Sequence, residues 1–103
     1  MFGRKKAARK RVMTLILLDG EMKELLSCRV SDYELPEKVV LALSEEYFGD
    51  PDPCEIHRGA VHNRVMMELM ESIAPGATRP LGELPEEMRA WFPAETAYVR
   101  IAE

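Results

Sequence analysis

Residues 12–30 read VMTLILLDGEMKELLSCRV, and their pattern decides the fold. The run over residues 12–18 is short, apolar and closed by Asp19-Gly20, as a buried strand and its turn are. Asp and Gly both tolerate φ > 0, which a two-residue type I′ turn demands at its central positions, so a tight hairpin is predicted. That loop length pairs Leu17 with Met22, Leu15 with Glu24 and Met13 with Leu26. Side chains alternate across a strand, so Met13, Leu15, Leu17, Met22, Leu26, Cys28 and Val30 share the predicted core face. Glu24 is the misfit there and belongs near the rim.

Downstream the period changes to that of helices. Pro36 suits a first helical position, because its missing N–H has no partner there anyway. From it, Val39, Val40, Leu43 and Tyr47 fall on one side, away from Lys38, Glu45 and Glu46. Gly49 ends that helix. Asp50-Pro51-Asp52-Pro53 then turns the chain. Asp52 and Glu55 have capping-box spacing with Pro53 between them, which predicts a second helix from there to about residue 74, closed by Pro75-Gly76. Residues 76–82 read as a loop. Pro85 opens a short third helix through Phe92, whose apolar contribution is Leu84, Met88, Trp91 and Phe92. At the end, Ala97, Val99 and Ile101 alternate with Thr96, Tyr98 and Arg100, as in a half-buried strand.

The element order is therefore β-β-α-α-α-β. It predicts an α+β fold: a three-stranded antiparallel sheet of order 2-1-3 with helices packed on one face. The first strand is the most apolar and should be central, with the C-terminal strand on its free side.

Charge divides the chain in two. Arg4, Lys5, Lys6, Arg9, Lys10 and Arg11 crowd into one basic segment with no acid among them. Residues 12–103 keep the other eight Lys and Arg against all eighteen Asp and Glu, so their formal charge is 8 − 18 = −10. We therefore divide the chain into a basic tail, residues 1–11, and a single α+β domain, residues 12–103. An acidic body disfavours broad contact with nucleic acid and suits a basic protein partner, whereas the six tail cations are the expected nucleic-acid contacts. No aromatic residue is interleaved with them, so a stacking platform for single strands is lacking. Hydrophobic residues at 47% and charged residues at 31% are ordinary for a folded domain and argue against disorder.

The apolar run at residues 12–18 is at the lower limit for a signal-peptide core, and Asp19-Gly20-Glu21 follows in place of a small-residue cleavage site. It is also too short to span a bilayer. Two cysteines make no disulfide framework. The expectation is a cytoplasmic protein with reduced thiols and no membrane association.

Candidate sites gather where the second helix begins. Cys54 and His57 have an acceptable zinc-ligand spacing on one turn, but a structural site needs four ligands and would have to recruit His62, Cys28 or an acid. His62 lies five residues beyond His57, in the middle of the arc of Val61, Val65, Leu69 and Ile73, and reads as a packed histidine. His57 falls on the wet side, beside Arg64 and Glu68. No metal and no cofactor are expected.

A nucleophile reading places Cys54 in the first helical turn, with His57 and Arg58 in reach. Asp52 and Glu55 oppose a thiolate there, and no oxyanion loop or nucleophile motif accompanies it. Cys28, on the core face of a strand, reads as packing.

The acids Glu45, Glu46, Asp50, Asp52 and Glu55 form an acidic corner, for which capping and solvation are the plain explanation. Asp50-Pro-Asp-Pro53 lacks the central Gly of a calcium loop. Met66 and Met70 extend the apolar arc of the second helix, while Met67 points off it. That arc is wider than one sheet face needs, so part of it is free for a partner or a second copy.

These readings favour a small non-enzymatic binding or accessory protein acting through protein contacts of an acidic body. Glu45, Glu46, Asp50, Asp52 and Met67 are its expected partner-binding residues, and a homodimer is open. The alternative is a nucleic-acid-associated regulator using the tail. Third comes a cysteine-dependent enzyme using Cys54 and His57.

Overall fold

The computed structural model describes residues 12–103. The basic segment, with the nucleic-acid contacts expected of it, lies outside them. The chain forms β1 (Thr14–Leu18), β2 (Glu24–Arg29), a 3-10 turn (Val30–Asp32), α1 (Glu37–Phe48) and α2 (Glu55–Ser72). It continues with β3 (Thr78–Pro80), a second 3-10 turn (Leu81–Glu83), α3 (Glu86–Arg89) and β4 (Tyr98–Ala102). The fold is α+β, with an antiparallel sheet of order β2-β1-β4-β3. As expected, β1 is central and the C-terminal strand pairs along its free side.

Four strands stand where three were predicted. The addition, β3, comes from the stretch read as a loop and pairs with the outer edge of β4. A three-residue strand ending in Pro80 carries no alternation to read, and its Pro is tolerated because the strand lies at an edge. Long-range bonds hold it. Arg100 Nη1 donates to the Gly76 carbonyl at 2.9 Å and to Thr78 Oγ1 at 3.1 Å. Arg79 Nη1 donates to the Ser72 carbonyl at 3.1 Å.

The hairpin also differs from its expected form. Leu17 pairs with Leu26, not Met22, and Leu15 with Cys28. The Asp19 carboxylate is the cause: Oδ1 accepts the amides of Glu21 at 2.8 Å and Lys23 at 2.9 Å, closing a longer loop around itself. Met22 rather than Gly20 takes the left-handed conformation, at φ 65°. The register moves by an even number of residues, so Leu26 and Cys28 keep their face. They sit at its rim, Cys28 half-buried and Leu26 exposed, and Met22 leaves the core for the loop.

The core lies between one face of the sheet and α2. Leu15, Leu17, Val99 and Ile101 from the strands, Val61, Val65 and Leu69 from α2, and Ile73 at its C-cap are all fully buried in one cluster. Each such side chain contributes about 1.5–3 kcal/mol relative to an exposed one. Leu84, Met88, Trp91 and Phe92 complete it, as their spacing predicted. Tyr33 ties the layers together, donating its hydroxyl to the Trp91 carbonyl at 2.6 Å. Among the described residues no helix is long and apolar enough to cross a membrane.

Candidate functional site at the α1–α2 corner

Helix α1 stops because Gly49 takes φ 68°, and its amide bonds back to the Glu45 carbonyl at 2.8 Å. The following amide, of Asp50, reaches the Ser44 carbonyl at 3.3 Å and turns the chain sharply. Asp50, rather than Asp52, then uses its side chain to close the turn ahead of α2. Its Oδ1 accepts the Asp52 amide at 3.2 Å. The capping box of Asp52 and Glu55 does not form. With the Asp50 side chain organising the turn, the helix starts later, and Cys54 is the N-cap rather than a first-turn residue. Its carbonyl accepts the Arg58 amide at 2.9 Å, and its thiol is exposed.

This geometry brings Asp50 and His57 together. Asp50 Oδ2 meets His57 Nδ1 at 2.8 Å. That hydrogen bond, with the amides of Asp52 and Cys54, holds the Asp50 carboxyl below the usual carboxylate range. Phe48 supports the imidazole from one side: the rings stack at 4.4 Å between centroids and 9° from parallel. A ligand atom each from Asp50, Cys54 and His57 lies within 4.8 Å of the others.

Arg58 does not join them. It forms a two-pronged ion pair with Glu37, Nη1 to Oε1 at 2.9 Å and Nη2 to Oε2 at 2.6 Å, pinning α2 to the start of α1. That hydrogen-bonded pairing lowers the Glu37 pKa and raises that of Arg58. The acids of the corner divide as well. Glu45, Asp52 and Glu55 face solvent and Asp50 is half-buried. Glu46 lines a separate hollow of about 130 Å³ with Tyr47, Arg64, Glu68 and Glu87, where the Arg64 guanidinium lies 4.0 Å over the Tyr47 ring.

His62 is half-buried with Nε2 3.0 Å from the Tyr33 carbonyl, so Nε2 carries the proton it donates. It also lines an open groove of about 350 Å³ between Val12, Met13, Val30, Met66 and Met70. Neither hollow is lined by Asp50, Cys54 or His57.

The feature sequence reasoning understated is the outer face of α2. Ile56 is 81% exposed, Met67 63% and Met70 42%. At 100° per residue, Ile56 and Met67 lie within about 20° of each other around the axis, roughly 17 Å apart along it, and Met70 about 40° to one side. Gly59, Ala60 and Asn63 fill the space between and add no charge. The signal was present in the excess width of the apolar arc, but Ile56 was not singled out.

Comparison of the chain with protein-family models, curated proteins and solved structures finds no match.

Proposed function

We propose that this is a small non-enzymatic binding protein that works through protein–protein contacts, and that the outer face of α2 is its docking surface. The observation that carries the reading is the exposure of Ile56, Met67 and Met70 along one face of a helix whose opposite face fills the core. Large apolar side chains aligned this way lose free energy to water that a complementary surface recovers. Glu45, Asp50, Asp52 and Glu55 around the N-terminal end supply a negative rim, so the partner has an apolar ridge flanked by Lys or Arg. Steering by that rim accelerates encounter, and the apolar stripe supplies the affinity.

The test is capture of partners from extract of the source cell, with and without nuclease, by the wild-type protein and by Ile56→Asp. The reading expects a protein retained by wild type in nuclease-treated extract and lost with Ile56→Asp. Retention that vanishes with nuclease and ignores Ile56→Asp contradicts it and supports the regulator that uses the basic tail.

A further inference from the structure

The geometry points to a divalent transition-metal site at the α1–α2 corner, with Asp50, Cys54 and His57 as its protein ligands and zinc as the metal the donor set suits best. This goes beyond the docking surface and does not depend on it. Among the described residues, this is the one place where three such groups converge. One carboxylate oxygen, one thiol and one imidazole nitrogen form a borderline-soft set, matched to Zn²⁺ or Co²⁺ and poorly matched to Ca²⁺ or Mg²⁺. Sequence spacing supplied only Cys54 and His57. The fold supplies the third ligand, because the turn after Gly49 folds Asp50 back onto the first turn of α2.

Two of the three ligands are already oriented. The Asp52 amide anchors the Asp50 carboxylate through Oδ1, and Oδ2 already meets His57 Nδ1 at 2.8 Å, a hydrogen bond that a metal between the two atoms replaces. Phe48 fixes the plane of His57. Such supports are what hold metal ligands in place elsewhere. Bond lengths of 2.0–2.3 Å to a tetrahedral zinc place ligand atoms about 3.5 Å apart. Binding therefore has to draw in any pair near the present limit of 4.8 Å and to part Asp50 Oδ2 and His57 Nδ1 from 2.8 Å, and the Cys54 side chain, being exposed, is free to turn.

On binding, the Cys54 thiol gives its proton to solvent and the sulfur donates an electron pair to the metal. A ligating Nδ1 must be unprotonated, so the imidazole then carries its proton on Nε2. Three protein ligands leave the fourth position to water or to a donor from a partner.

The experiment is titration of the reduced, full-length protein with Co²⁺ followed by absorption, then displacement by Zn²⁺. One equivalent of Co²⁺ should give a thiolate-to-cobalt charge-transfer band with the visible bands of a four-coordinate ion, and Zn²⁺ should abolish both. Cys54→Ser should remove the charge-transfer band, and Cys28→Ser should leave it. Asp50→Asn and His57→Ala should each weaken binding by about tenfold or more. Ser is a favourable N-cap, so Cys54→Ser should keep the far-ultraviolet dichroism of wild type. Zn²⁺ should raise the melting temperature of wild type and not of Cys54→Ser, since a ligand of the native state stabilises it. A spectrum without the thiolate band at excess Co²⁺, or a band that survives Cys54→Ser, overturns the site. So does a band lost with Cys28→Ser.

Discussion

The imidazole of His57 lies on the ring of Phe48, centroids 4.4 Å apart and planes 9° from parallel, so the last residue of α1 clamps the first turn of α2. That stack presents Nδ1 to Asp50. Its electrostatics are testable by pH. The hydrogen bond from His57 lowers the Asp50 pKa, so this contribution to stability is present above the ordinary carboxylate range and is lost as pH falls through the lowered value. Denaturant midpoints should therefore separate wild type from Asp50→Asn at neutral pH and converge only as pH falls below the ordinary carboxylate range. A gap that persists unchanged into strong acid contradicts the pairing.

Tyr33 carries the opposite sign. Burial, and secondarily the charge of Cys28, push its phenol up to about 12. The folded state favours the neutral phenol, so stability is intact below the ordinary tyrosine value near 10 and declines as pH rises from about 10 toward 12. Tyr33→Phe removes the bond to the Trp91 carbonyl and should cost about 1 kcal/mol at neutral pH. It should also flatten the alkaline decline, and an equally steep decline would assign that loss to another group.

The two histidines should differ. His62→Ala leaves the Tyr33 carbonyl without its donor beside the core and should cost about 1–3 kcal/mol. The His57 pair with Asp50 is half-buried at the helix corner and away from the core, so His57→Ala should cost less than His62→Ala. Denaturant melts that rank them in reverse put the wrong face of α2 against the core.

Cys54, exposed at the N-cap, should react with a thiol reagent faster than Cys28, in metal-free protein. Cys28 is half-buried in β2, and burial, with the nearby Asp32, raises its thiol pKa and withholds the reactive thiolate. Faster labelling of Cys28 would reverse the strand facing.

What the sequence disclosed was what periodicity encodes. Val61, Val65, Leu69 and Ile73 repeat at helical spacing, and Leu15, Leu17, Val99 and Ile101 at strand spacing; all eight are fully buried. What it concealed depends on single side chains bonding across the chain. The Asp19 carboxylate reset the hairpin loop, and Arg100 secured a strand too short to show a pattern. The candidate site was half visible. The spacing of Cys54 and His57 could be read directly, but the arrival of Asp50 depends on how a Gly-ended helix and two prolines turn.

The most direct measurement on the docking surface is site-specific photocrosslinking in the source cell, with the crosslinker placed at Met67 and, as a control, at the exposed Glu95. The account predicts a discrete protein adduct from position 67, absent from position 95 and lost when Ile56→Asp is added. No adduct from position 67, or the same adducts from both positions, would contradict it.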